Sequence, residues 1–260
     1  MTAPTNRRPR VAWWRRPWVI PLGLGTVAFL AFSLPPYLSY DPAQTRVPAP
    51  PGFPEYYWIL HTHIMFGTIA LVTCCLQVWP WLRQRHPKIH RTSGRLYVLA
   101  GVLPSGLLAL PVAIFSLSGP SAQTSSVLQA LLWLGATIAG FRAARARRFR
   151  EHRRWMVRSF ALTTSIVVSR IWLVAVDAAL KPTLETGFDG NELFFDQTVG
   201  GIAAWLSWVV NLLLAEWWLS RKPKRGGGRR PAPRTEGIGG AGSGGGEPKS
   251  AEVSLAAKVD

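Results

Sequence analysis

The sequence predicts an all-α membrane protein with six transmembrane helices and both termini cytoplasmic. The second to fifth helices are expected to form a four-helix core, with the first and last flanking it. Three observations carry this. Only 17% of residues are charged while 48% are hydrophobic, against about 25% charge in a typical soluble domain. Six apolar runs approach the roughly 20 residues a helix needs to cross the hydrocarbon core. The cations are confined to alternate connections, as expected when positive charge stays on the cytoplasmic side.

The runs are, in order, residues 18–38, 57–82, 96–117, 125–143, 159–180 and 198–219. The first contains Pro21 and closes at Pro35-Pro36, and the third contains Pro104 and Pro111. Transmembrane helices tolerate proline because neighbouring groups satisfy the freed carbonyls, so these read as kinks. The first run has a basic flank, as a signal peptide does. It is long and no small-x-small cleavage site follows it, so it reads as an uncleaved helix.

Of the 30 Lys and Arg residues, 27 fall in the N-terminus, the connections after the second and fourth runs, and the tail. The opposite connections hold only Arg46 and Lys181, and Arg170 lies inside a span. Five or seven spans would place an arginine block outside. Residues 1–17 thus read as a basic cytoplasmic N-terminus, 18–221 as the membrane domain, and 222–260 as a disordered cytoplasmic tail. The tail is rich in Gly, Pro and Arg and too poor in apolar groups to offset its ordering entropy. Trp79, Trp81, Trp155, Trp217 and Trp218 fall near the inner interface and Trp58 near the outer, where indoles sit well. Trp133, Trp172, Trp205 and Trp208 lie deeper and read as packing residues. The two cysteines, Cys74 and Cys75, are adjacent in an apolar run and make no disulfide framework.

Ionisable groups deep in a span are costly and need partners. Arg170 lies near the midplane of the fifth run, with Thr163 and Asp177 seven residues away on either side on nearly the same face. In the second run His63, Gly67, Ala70, Cys74 and Gln77 share a face, with His63 about 9 Å below the outer surface by helical rise. A His63–Asp177 contact above Arg170 fits these depths. Asn211 of the sixth run lies about 12 Å above the inner surface. His63, Arg170, Asp177 and Asn211 therefore form one candidate pocket, cationic and suited to an anion. Glu216 is expected to pair with an arginine of the cytoplasmic connection.

A second candidate site lies on the cytoplasmic side. His90, Arg91 and Arg95 precede the third run; His152, Arg153 and Arg158 precede the fifth. If His90 and His152 meet, they suit axial ligation of one b-type haem, or an anion held by the surrounding arginines. No metal cluster is assigned. The bland alternative is that these cations anchor helix ends to anionic lipid headgroups.

The segments HIMFGTIALVTCCLQ, HRTSGRLYVLAG, HRRWMVRSFALT and AWLSWVVNLLLAEWW, with Arg170 between the last two, resemble the bacterial membrane proteins grouped as domain of unknown function 2306. The resemblance covers roughly residues 56–219. It implies a multi-pass protein of the bacterial cytoplasmic membrane and no established activity. It draws attention to His63, His90, Arg91, Gly94, Arg95, Tyr97, His152, Arg153, Trp155, Arg158, Arg170 and Asn211. A fainter similarity to four-helix cytochromes of the b561 type breaks down on the outer side, where His63 has no histidine partner on another helix.

Three functions follow as expectations. One is a pocket around Arg170 for a small anionic solute or lipid headgroup. Another is a haem- or quinone-linked electron carrier using His90 and His152. The last is a non-catalytic subunit or assembly factor of a membrane complex. No nucleophile–base pair or phosphate-binding loop occurs, which argues against a hydrolase, and no catalytic residue is assigned. The blockwise charge argues against nucleic acid as a partner.

Overall fold

The structure is a computed structural model that describes residues 18–221. The expectations for residues 1–17 and 222–260 lie outside the described residues. Six main helices follow one another: α1 (Val19–Ser33), α2 (Tyr56–Val78), α3 (Pro87–Ile114), α4 (Gly119–Arg145), α5 (Phe149–Leu180) and α6 (Glu192–Ser220). No strand occurs among the described residues. Five of the six, α2 to α6, are long and apolar enough to cross a membrane.

The first helix differs from expectation. Regular helix stops at Ser33, 15 residues long, and a short helix, Pro35–Leu38, follows after a bend at Leu34. Pro35 and Pro36 supply no N–H, so the ladder cannot continue through them. Leu34 N–H still bonds to the Leu30 carbonyl at 2.9 Å, so the axis bends without unravelling.

The connection after α2 is helical where a basic loop was expected. Trp79 is extended before Pro80, and His86 is non-helical before Pro87, as residues preceding proline are biased to be. Each proline then starts a helix, Pro80–Arg85 and Pro87–Arg95, in the position where its missing N–H costs nothing. Within α3, Leu96–Val102 widens to π-helix and buries Tyr97, Val98, Gly101 and Val102. A Cβ on Gly101 would meet the Ala70 Cα at 2.8 Å, so α2 and α3 touch through backbone there. Pro111 lies inside α3 without ending it.

The arginine block around residue 147 is equally compressed. Only 146–148 separate α4 from α5. Arg148 N–H bonds to Ala143 O at 2.9 Å and Arg147 N–H to Ala144 O at 3.0 Å, with Arg147 left-handed at φ 57°. This is a Schellman turn with arginine where glycine is usual.

The expected four-helix core is corrected. α6 packs along both α4 and α5, and its buried face is built of Val199, Gly201, Ala203, Ser207, Trp208 and Ala215. Small residues on that face let helices close without a hydrophobic driving force from water. The bundle is therefore α2 to α6. α1 lies beside it, with only Thr26 buried and one side-chain hydrogen bond to the bundle, Thr26 Oγ1 to Cys75 Sγ at 3.3 Å. Leu24, Val72, Leu99, Val174 and Leu213 are exposed on the outward faces, the pattern of helices solvated by lipid.

Candidate functional site

A cavity of about 610 Å³ lies between the α2–α6 bundle and α1, on the side of the molecule that carries the 39–55 connection. Its wall runs along α2 from Tyr56 to Leu71, about 22 Å at the helical rise. Arg170, one of the expected pocket residues, lines it, and so does His63. Arg46, from the connection after α1, lines it too and lies within electrostatic reach of Arg170. No Asp, Glu or Lys takes part in the wall, and Arg170 enters neither of the salt bridges among the described residues.

His63 is held by α3. Its Nδ1 lies 2.9 Å from the Ser105 carbonyl and 3.1 Å from Ser105 Oγ, while Ser105 Oγ donates to His63 O at 3.1 Å. A carbonyl only accepts, so in the neutral ring Nδ1 carries the hydrogen and Nε2 remains an acceptor. The other two expected members stand apart. Asp177 is half-buried, off the cavity wall and unbonded to His63. Asn211 donates to the Ala161 carbonyl at 3.2 Å and so ties α6 to α5. Thr163 and Arg170 share the cavity wall; the last turn toward Asp177 rotates off it.

Two members of the wall were not singled out from sequence. Arg46 was visible only as one of the few outer cations. Ser33 lines the cavity with its Oγ buried and unpartnered, and only the fold places it there. Several other hydroxyls on the wall are already engaged: Thr68 with Ile64 O at 2.9 Å, Ser165 with Leu162 O at 2.6 Å, Ser207 with Ala204 O at 2.7 Å. Local bonds of this kind satisfy a hydroxyl within its own helix, so the free polar groups are chiefly the guanidiniums, His63, Ser33 and the Tyr37 hydroxyl, which accepts from Thr45 at 3.5 Å.

Beneath the cavity a layer of hydroxyls joins α3, α4 and α5. Tyr97 Oη lies 2.5 Å from Ser159 Oγ and 2.7 Å from Thr163 Oγ1. Ser159 Oγ lies 2.6 Å from Thr137 Oγ1. Thr163 Oγ1 donates to Ser159 O at 2.8 Å and accepts from Trp133 Nε1 at 2.9 Å. One donor order uses every hydrogen once: Thr137 to Ser159, Ser159 to Tyr97, Tyr97 to Thr163, Thr163 to backbone. Elsewhere Gln129 donates to Ser165 Oγ at 2.5 Å and Trp208 to Ser125 Oγ at 2.9 Å.

At the arginine-dense end, His90 and His152 come within electrostatic reach of one another. His152 Nδ1 lies 2.9 Å from Gly140 O, which leaves Nε2 free in the neutral ring. His90 Nδ1 is buried without a partner. Arg158 is committed elsewhere: its Nε and Nη2 donate to the Glu216 carboxylate at 2.5 and 3.0 Å, as the sequence led us to expect for Glu216. Its guanidinium also stacks 4.7 Å from the Trp155 ring centroid, and Arg153 stacks 4.8 Å from that of Trp218. Arg91 donates to Pro87 O at 3.3 Å, and Arg91 and Arg95 are exposed. Among the described residues no three His, Cys, Asp or Glu side chains gather to hold a metal ion.

Residues 60–219 match the family described as "Predicted membrane protein (DUF2306)". That match covers well over half of the chain, and the chain belongs to this family of multi-pass membrane proteins. No curated protein and no solved structure matches.

Proposed function

We propose that this DUF2306 protein is a binding protein of the bacterial cytoplasmic membrane that holds an anionic solute or lipid headgroup in the cavity around Arg170. In this reading it crosses six times with both termini cytoplasmic, so the cavity opens in the outer half. The observation that carries the proposal is a guanidinium on the wall of a large cavity with no acid beside it. An ionisable side chain within a membrane domain is retained when it has work to do. Arg170 has no ion-pair partner among the described residues, and Arg46 adds a second positive charge on the same cavity wall. An anion from outside the chain satisfies both through charge-assisted bonds. The test compares the wild-type protein with Arg170→Gln in lipid nanodiscs, by native mass spectrometry of retained ligands and by thermal unfolding. The proposal expects an anionic adduct that disappears in the variant while unfolding is unchanged. An adduct pattern indifferent to the substitution would sink it.

A second reading concerns the inner end, where His152 offers a free Nε2 near His90. It is an electron carrier with one b-type haem between these rings. Absence of a Soret band and of iron in the purified protein ends this reading.

A further inference from the structure

We infer that the guest is a single-chain amphipathic acid, a long-chain carboxylate or alkyl phosphate drawn from the bilayer, rather than a water-soluble anion. The inference rests on the anion reading above and adds the chemistry of the rest of the ligand.

The polar groups free to meet a guest on the cavity wall include Arg46, Arg170, Ser33 and His63. Arg46 stands 4.0 Å over the Phe32 ring, next in sequence to Ser33, and lies within electrostatic reach of Arg170. Ser33 Oγ is buried and lacks a partner, and a buried hydroxyl without a partner calls for an explanation. Two guanidiniums and an unpartnered hydroxyl on the wall of one cavity give a carboxylate or phosphate cationic partners there. From Arg170 the α5 wall descends to Leu162, about 12 Å further in. Along that descent Ile64, Leu71, Ile166 and Leu162 present apolar surface, and the intervening hydroxyls are engaged with their own helices. A small hydrophilic anion leaves this length unfilled, whereas a hydrocarbon chain fills it. A diacyl phospholipid is too large for about 610 Å³, a volume within the usual range for one small-molecule guest.

The route is also on the membrane side. α1 forms one wall of the cavity, yet it packs mainly on α2 and only lightly on α5, with no substantial contact to α6. The facing stretch of α6 is Gly200, Ala203, Ala204 and Ser207, all small. The seam between α1 and α6 is therefore where the cavity meets lipid.

The experiment titrates the full chain in zwitterionic nanodiscs with palmitate, dodecyl phosphate, octanoate and inorganic phosphate, read by native mass spectrometry. Wild type is compared with Arg170→Gln and with Ser33→Ala, each checked for unchanged thermal unfolding. Palmitate is expected to bind saturably, one per chain. Octanoate should bind more weakly by about fourfold for each buried methylene it lacks. Arg170→Gln should weaken palmitate by about 10-fold or more, the scale of one lost charged hydrogen bond, and Ser33→Ala by several-fold. Comparison of palmitate with dodecyl phosphate identifies which head the guanidiniums take. If inorganic phosphate and octanoate bind as tightly as palmitate and depend on Arg170, the hydrocarbon chain is wrong and the anion site stands. If palmitate binds equally to wild type and Arg170→Gln, or nothing binds saturably, both readings fall.

Discussion

The hydroxyls of Tyr97 on α3 and Ser159 on α5 lie 2.5 Å apart at the centre of the bundle, and both side chains are buried. The bond links two helices that are not neighbours in sequence, inside a network whose donors are all used once. Tyr97→Phe keeps the ring and removes the hydroxyl. Ser159 then loses its acceptor and Thr163 one donor, and both side chains are buried. Interhelical bonds in bilayers average about 0.6 kcal/mol, with a maximum near 1.7. The variant should lose about 0.6–1.7 kcal/mol in an equilibrium unfolding titration in bicelles. Loss of less than about 0.3 kcal/mol, half that average, would show that the network contributes shape and not energy.

Gly101 and Gly135 offer a paired test of helix approach. A Cβ on Gly101 would sit 2.8 Å from Ala70 Cα and 2.9 Å from Ala70 N, so backbone must move. A Cβ on Gly135 meets nothing within 4 Å. Gly101→Ala should therefore destabilise by about 1–3 kcal/mol, as overpacking does. Gly135→Ala should be neutral or stabilising by up to about 1 kcal/mol, the difference in helix propensity. The same unfolding titration ranks the two.

Much of this architecture was legible in the residues because the bilayer imposes simple rules. Apolar length located α2 to α6, and the seven-residue spacing put Thr163 and Arg170 on one wall. What sequence could not supply was which polar side chains are spent internally. Asn211 looks like a pocket residue by depth, but a backbone carbonyl of α5 takes its amide. Asp177 looks like a partner for His63, but Ser105 on α3 is the side chain that reaches the ring. Nor does composition distinguish a basic loop from a basic helix: the connection after the second run, expected as a loop, holds two short helices that start at Pro80 and Pro87. The role of α6 in the core was hidden because its small residues carry little hydrophobic weight, although they decide how closely helices pack.

Arg170→Leu should not unfold the protein. The guanidinium makes no salt bridge among the described residues, so its removal breaks no internal pair. A charged residue at the centre of a membrane helix costs about 2.5–3.5 kcal/mol on insertion scales. Stability in bicelles, measured without added ligand, is therefore expected to stay level or to rise. A marked fall would mean that Arg170 holds the fold together.

Arg158 and Glu216 tie the arginine-dense ends of α5 and α6 through two parallel bonds. The side chains are 20% and 45% exposed, so the pair is partly solvated and its worth is limited. A double-mutant cycle with Arg158→Gln and Glu216→Gln should give a coupling of about 1 kcal/mol, above most surface pairs because of the bidentate geometry. Raising salt from low to molar concentration should reduce that coupling. A coupling near zero would leave Trp155 stacking as the reason for the position of Arg158.

The threading of the chain turns on α1. Regular helix covers 15 residues, about 22 Å, short of the roughly 30 Å hydrocarbon core. Continued through the bend to Leu38, the run from Val19 reaches about 30 Å along its path. Charge then decides between crossing and lying along the surface. If α1 crosses, the arginine-rich N-terminus shares a side with the turn at Arg147 and with Arg221. If it does not, the N-terminus lies opposite them and its arginines face outward, against the usual cationic bias. Reporter fusions separate the two: a fluorescent protein that matures only inside, and a phosphatase active only outside. Fluorescence is expected from fusions at the N-terminus, at Arg147 and after Arg221, and phosphatase activity from a fusion at Asp189. Phosphatase activity at the N-terminus, with the other three fusions unchanged, would make this a five-span protein. It would also remove the α1 wall from the cavity, and with it the headgroup contact assigned to Ser33.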